Sequence, residues 1–107
     1  MVPLAVPPGS LAMRAVFVLM ITVLVPVVEE ILFRGIILDR LLRNRGAIAA
    51  IVLSSLAAAV CHEAVLAALV EQIVIASIYI WRGESLWVSI LAHVSLNSMS
   101  LLTQLNK

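Results

Sequence analysis

The chain has 107 residues, of which 64% are hydrophobic and 12% are charged, and its formal net charge is +1. Soluble domains are typically about 45–50% apolar and about 25% charged, so this composition excludes an ordinary water-soluble domain and predicts an integral membrane protein. The small net charge excludes the basic surface that nucleic-acid binding requires, and the single Cys61 excludes an internal disulfide.

The first ten residues contain three prolines and a glycine, which do not suit a regular helix. We therefore predict an interfacial lead-in over residues 1–10 and a membrane-embedded core over residues 11–107. The apolar run after Arg14 has no small-residue cleavage site, so we interpret it as a retained span and not as a signal peptide.

Five apolar runs follow, and each is too long and too continuous for a strand. The first, residues 11–25, is predicted to end at Pro26, because proline favours the first turn of a new helix. The second is predicted over residues 27–43, and the others over residues 47–61, 64–81 and 86–105. The predicted fold is all-α, a polytopic transmembrane helical bundle of about four to five helices.

Two short turns separate these runs at residues 44–46 and 82–85. Arg40, Arg43 and Arg45 lie around the first turn, and Arg82 begins the second. Both turns lie on one side of the membrane if the spans alternate. The positive-inside rule predicts that this side is cytoplasmic.

Two adjacent glutamates and an arginine, Glu29, Glu30 and Arg34, lie in one of the most apolar stretches. A charge at membrane depth costs roughly 2.5–3.5 kcal/mol on insertion scales, so it persists only when it is paired, solvated or used. Glu30 and Arg34 are four residues apart and can pair on one helix face. Glu29 points about 100° away and is left for a general base or a metal ligand. The alternative is that both carboxylates lie at a solvated helix N-terminus, where the helix dipole favours them.

The two histidines have equally apolar surroundings. His62 closes the third run, His93 lies within the last, and Asn97 follows His93 on the same helix face. An isolated intramembrane histidine is more often a packing residue, but buried polar side chains need partners in hydrocarbon. We therefore expect both histidines and Asn97 to converge with Glu29 on one polar cavity. Glu71 and Gln72 either line that cavity or hydrogen-bond a neighbouring helix.

Three short motifs resemble those of the CAAX protease and bacteriocin-processing (CPBP, or Abi) family of intramembrane proteases. The run EEILFR at residues 29–34 resembles the family's EExxxR motif. The stretch from Ser54 to His62 is similar to its second motif, and HVSLN at residues 93–97 is similar to its third, HxxxN. The three occur in the family's order and cover about residues 26–102.

The resemblance implies an intramembrane endopeptidase that hydrolyses peptide bonds of membrane-associated proteins or peptides, in CAAX-type prenyl-protein or bacteriocin-like processing. It implies four catalytic and two supporting residues. The catalytic residues are Glu29 and His62, which activate water, and His93 and Asn97, which stabilise the oxyanion; the supporting residues are Glu30 and Arg34.

The resemblance leaves the metal question open, because members are catalogued as metalloproteases while a metal-free, glutamate-type mechanism is also argued for the family. A catalytic zinc ion takes three protein ligands, and the zinc option would use Glu29, His62 and His93. The HExxH pattern of other zinc proteases is absent, since the position four residues after His62 is Leu66.

Two departures set this sequence apart from the family pattern. Ala58 stands where the second motif has a phenylalanine, and a single span precedes the acidic motif where family enzymes generally have more. Three alternatives follow for this chain. It is a self-sufficient catalytic core, it assembles as a homo-oligomer or with another membrane subunit, or it is an inactive relative.

Two alternative functions come from other classes: a catalytically inactive scaffold or immunity protein with the same fold, and a small proton or ion relay subunit. The expected partners are a protein or peptide substrate and membrane lipids, with no nucleic acid. The expected location is multi-pass in a prokaryotic plasma membrane.

Overall fold

The structure is a computed structural model that describes the backbone of residues 6–105 and the side chains of residues 6–104. This part of the chain forms four helices, α1 (Leu11–Arg45), α2 (Ala47–Ala59), α3 (Val65–Trp81) and α4 (Leu86–Leu105). It contains no strand, so the all-α prediction is confirmed. Residues 1–5 of the predicted lead-in and residues 106–107 of the predicted core lie outside the described range, and residues 6–10 are not helical.

The first two predicted runs form one helix, so the predicted break at Pro26 is wrong. A π-helical segment, Met20–Leu24, comes just before this proline, and the Val25 N–H donates to the Met20 carbonyl five residues back. Such local widening lets a membrane helix continue through proline. Glu29 and Glu30 consequently lie in the interior of a 35-residue helix. The alternative of a carboxylate pair at a helix N-terminus is therefore wrong as well.

The two turns follow from glycine conformations. α1 continues to Arg45 and ends because Gly46 adopts a φ of +82°, which residues with a Cβ rarely adopt. The second turn lies where it was predicted, between Trp81 and Leu86, with Gly83 at a φ of +72°. The chain thus reverses direction within a few residues at each site.

Several polar side chains are buried inside the bundle, and many large apolar side chains are exposed on its outer surface. The buried polar residues are Thr22, Glu30, Arg34, Ser54, Ser55, Gln72, Ser89, His93 and Ser100. Large apolar side chains such as Leu19, Val28 and Ile36 on α1 are exposed. So much exposed apolar surface is unfavourable in water, whereas hydrocarbon accepts it and drives polar groups to find partners within the protein.

One apolar cluster joins all four helices near the two turns. Leu38 of α1, Ala50 of α2, and Ala76 and Tyr79 of α3 form its buried centre, and Leu86 of α4 packs against them. The cluster therefore combines the end of α1 and of α3 with the start of α2 and of α4. Both turns lie at the same end of the bundle, as alternating helices require.

Helix lengths decide how deep the remaining connection lies. Within the described residues, α1 and α4 are long and apolar enough to span a membrane, while α2 has 13 residues and α3 has 17. At about 1.5 Å per residue, α2 and α3 are shorter than a hydrocarbon core of about 30 Å. The turn at residues 60–64 therefore faces the interior of α1 and not its far end.

Candidate active site

One cavity of about 250 Å³ lies where the interior of α1 faces the turn at residues 60–64, α3 and α4. Its polar lining side chains are Glu29, Cys61, His62, Glu71, Gln72, His93, Asn97 and Ser100. All four residues predicted to be catalytic are among them. Since one water takes about 30 Å³ in the liquid, the cavity has room for water beside a substrate group.

Sequence distance explains why Glu29 and His62 meet at this cavity. Glu29 comes 16 residues before Arg45, the last residue of α1, and His62 comes 16 residues after Gly46. The two chain segments run in opposite directions from the same turn. They therefore bring both side chains to a similar height in the bundle.

Glu30 and Arg34 are fully buried and form the ion pair that their spacing predicts. Oε1 of Glu30 lies 3.2 Å from Nε of Arg34, but the N–H is not directed at that oxygen, so the contact is electrostatic. Arg34 Nη2 donates to Oε1 of Gln72 at 2.7 Å and to its main-chain carbonyl at 3.2 Å. α3 thus supplies acceptors for a buried cation of α1, as a buried ion pair requires.

His93 connects this pair to the cavity. Its Nδ1 lies 2.7 Å from Oε2 of Glu30, and because an ionised carboxylate only accepts, Nδ1 donates. Its Nε2 lies 3.7 Å from Oε2 of Glu29, which is too far for a hydrogen bond. The Glu29 side chain is 27% exposed, compared with 3% for His93. Glu29 is therefore a carboxylate that faces the cavity and is not hydrogen-bonded to the histidine.

His62 is held by the end of α2. Its Nδ1 lies 2.9 Å from the main-chain carbonyl of Ala58, and since a carbonyl only accepts, Nδ1 carries the hydrogen. In a neutral imidazole this leaves the lone pair on Nε2. Ala58 is buried and fixes the histidine through its backbone. His62 can therefore accept a proton or a hydrogen bond through Nε2.

Asn97 makes a contact that the sequence did not indicate. Its Nδ2 donates to the main-chain carbonyl of Ile21 on α1 across 3.1 Å. A primary amide carries two N–H hydrogens, so one remains for another acceptor. Asn97 is half-buried and lines the cavity.

The donors for a metal ion do not converge in the described part of the chain. Among those residues, no group of three or more His, Cys, Asp or Glu side chains is placed to hold an ion. A catalytic zinc ion needs three protein ligands around one point. This arrangement does not fit such a site. The zinc set of Glu29, His62 and His93 stays a prediction.

Sequence reasoning left the role of Gln72 open between two alternatives and did not single out Ser100. Gln72 does both things considered for it, since it lines the cavity and binds Arg34 of another helix. Ser100 is buried and also lines the cavity. Its spacing of three residues after Asn97 and seven after His93 puts it on the same helix face. That pattern could have identified it.

The bundle has apolar side chains outside and a cavity with acidic, histidine and amide side chains inside, which is the architecture of a membrane-embedded protein with an internal polar site. Residues 11–99 match the family model described as type II CAAX prenyl endopeptidase Rce1-like. The chain belongs to this family of membrane-embedded proteases, which confirms the family resemblance of its three motifs. No curated protein and no solved structure gives a significant match.

Proposed function

We propose that this chain is an intramembrane endopeptidase in which a glutamate and a histidine activate water for attack on a peptide bond. The observation that supports this most directly is that Glu29, His62, His93 and Asn97, which come from three separate segments, line one cavity. The family match supports a protease and does not favour an inactive scaffold, an immunity protein or an ion relay.

Glu29 is the general base in this proposal. Its carboxylate faces the cavity and is 3.7 Å from the nearest histidine nitrogen, Nε2 of His93. It is therefore available to accept a proton from a water molecule, with His62 Nε2 as the second acceptor that orients the same water. The hydroxide equivalent adds to the carbonyl carbon of the substrate.

His93 and Asn97 stabilise the oxyanion that this addition creates. Asn97 keeps one N–H after its bond to Ile21. His93 can donate from Nε2 when the ring carries hydrogen on both nitrogens, with the carboxylates of Glu29 and Glu30 as counter-charges. Donors fixed in place in a site of low dielectric are among the largest contributors to catalysis.

The reaction ends when the carbon–nitrogen bond of the tetrahedral intermediate breaks. The proton taken from water passes from Glu29 to the leaving nitrogen, so the carboxylate is regenerated and one water is consumed for each bond cleaved. The two products are a new carboxylate and a new amine. The proposal therefore needs no co-reactant besides water.

The family description and the depth of the site support two candidate substrate classes. A CAAX-type prenylated tail, the substrate that the family name gives, would reach a cavity at membrane depth from the lipid side. A small bacteriocin-like peptide is the second candidate. For the enzyme itself we propose a multi-pass arrangement in a prokaryotic plasma membrane, with both arginine-flanked turns in the cytoplasm.

The proposal is tested with the purified full chain in liposomes and a prenylated CAAX peptide, with products identified by mass spectrometry in ¹⁸O-labelled water. We expect one labelled oxygen in the new carboxylate. Glu29→Gln should abolish cleavage while the melting temperature stays the same, because the amide keeps the shape and breaks no hydrogen bond. His62→Ala should also abolish cleavage.

Glu63→Gln is the matched control, because Glu63 is an exposed carboxylate next to His62 and should leave cleavage unchanged. Cleavage by Glu29→Gln at the wild-type rate would refute the role of this base. If the wild type cleaves neither the CAAX peptide nor a panel of membrane-inserted peptides, the endopeptidase proposal fails. An ion flux in the same liposomes that is lost in Glu29→Gln would instead support the relay.

A further inference from the structure

The main-chain carbonyl of Ile21 lacks a partner within its own helix. In the first of the two π-helical segments of α1, Met20–Leu24, the Val25 N–H donates to the Met20 carbonyl, five residues back. The next donor in this register would be the N–H of residue 26, opposite Ile21. Residue 26 is proline and has no N–H, so the carbonyl must find a donor elsewhere.

The donor comes from the other side of the cavity. Asn97 of α4 donates an Nδ2 hydrogen to this carbonyl at 3.1 Å. Pro26, five residues after Ile21, is itself fully buried. One turn earlier on α4, His93 donates to Glu30 of α1 at 2.7 Å. Two side chains of α4 are thus fixed against α1 on either side of Pro26.

We propose that Pro26 is a positioning residue for Asn97. By lacking an N–H, Pro26 frees the Ile21 carbonyl, and this carbonyl holds the Asn97 amide so that its second N–H remains directed to the cavity. This inference rests on the proposed function, because that second N–H is the oxyanion donor. A donor held in advance needs no reorganisation when charge develops on the substrate.

The variant Pro26→Ala tests this directly, because it restores an N–H that competes for the Ile21 carbonyl. The variant should bind the substrate as tightly as the wild type does. Its released Asn97 side chain should stabilise the oxyanion less. We expect kcat to fall and KM to stay unchanged. The fall should be smaller than the roughly 10²–10³-fold loss that follows removal of an oxyanion donor. Two effects on the melting temperature oppose each other, since alanine favours a helix more than proline, whereas the loss of the buried ring leaves a cavity.

A double-mutant cycle separates this role from a general effect of proline on the helix. In an Asn97→Ala background, Pro26→Ala should have no further effect on kcat, because there is no amide left to position. An equal fall in both backgrounds would mean that Pro26 acts by another route, such as rotation of Glu29, and would overturn the proposal. Unchanged kcat in Pro26→Ala would overturn it too. Val28→Ala, at an exposed position two residues further on, is the control and should behave as wild type.

Melting temperatures of the same four proteins test the contact even if no substrate is found. Asn97→Ala should lower the melting temperature when residue 26 is proline, because the Ile21 carbonyl then loses its donor. The decrease should be smaller in Pro26→Ala, whose own N–H can replace the amide. Equal decreases in both backgrounds would refute the contact. A smaller decrease in Pro26→Ala, together with no cleavage of any peptide by the wild type, would refute only the proposed function.

Discussion

His93 donates from Nδ1 to Oε2 of Glu30 across 2.7 Å, and this bond joins α4 to the interior of α1. Both side chains are almost completely removed from solvent. Glu30 therefore serves two partners at once, because its other oxygen lies 3.2 Å from Arg34. The first glutamate of the pair is left to face the cavity, so the two adjacent carboxylates have different surroundings.

Removal of the Glu30 charge should destabilise the bundle. Glu30→Gln leaves Arg34 as a buried cation without a counter-charge, and breaking a buried pair in this way costs about 3–5 kcal/mol. We expect a corresponding decrease in the free energy of unfolding, measured by denaturant titration in detergent micelles. The double variant Glu30→Gln with Arg34→Met should recover part of the loss, because no unpaired charge remains.

Asp39 and Arg43 provide the matched control, since they form an ion pair at the same spacing on the same helix but with 29% and 75% of their side chains exposed. Asp39→Asn should cost no more than about 1 kcal/mol. If Glu30→Gln were as stable as Asp39→Asn, the pairing would contribute little and the support that Glu30 gives to His93 would need another explanation.

Gln72 should prove a structural partner of the acidic motif. Gln72→Leu removes the acceptor that lies 2.7 Å from Nη2 of Arg34, and loss of a hydrogen bond to a charged group costs about 1.5–3 kcal/mol. Melting curves of the detergent-solubilised protein should show the decrease. Ser77→Ala, which removes an exposed hydroxyl of the same helix, should leave the melting temperature nearly unchanged. A similar shift in both variants would argue against the Arg34 contact.

Metal chelation should leave cleavage intact, since no three donors of the described residues converge on one point. The measurement is the rate of peptide cleavage before and after dialysis against a chelator, together with the zinc content by mass spectrometry. Stoichiometric zinc, with activity lost on chelation and recovered on addition of zinc, would establish the zinc alternative. It would also require the ligand side chains to move closer together.

The two turns should be accessible from the cytoplasmic side only. In a Cys61→Ser background, cysteines introduced at Asn44 and at Glu84, both exposed, should react with a membrane-impermeant maleimide in inside-out vesicles and not in right-side-out ones. Because both turns lie at one end of the bundle, their labelling should agree. Reaction from the opposite side would reverse the predicted orientation, and labelling from different sides would contradict the arrangement of the helices.

Composition and local sequence patterns predicted the features that follow from the surrounding hydrocarbon, namely the helices and the pairing of buried charges. Continuous apolar runs gave the helices on either side of residues 82–85, and the four-residue spacing of Glu30 and Arg34 gave their ion pair. The prediction failed at Pro26. A proline inside an α-helix kinks or breaks it, and no local pattern of this sequence indicates that Met20–Leu24 will form a π-helical segment.

The sequence by itself determined that this chain lies in a membrane, that it is helical and that the ionisable groups within its apolar runs must find one another, because hydrocarbon cannot solvate them. The tertiary structure alone decided how they do so. Glu30 and not Glu29 receives the histidine, Gln72 accepts from Nη2 of Arg34, and Asn97 binds a backbone carbonyl. These choices depend on helix rotation and on distances across the bundle, which no spacing along the chain fixes.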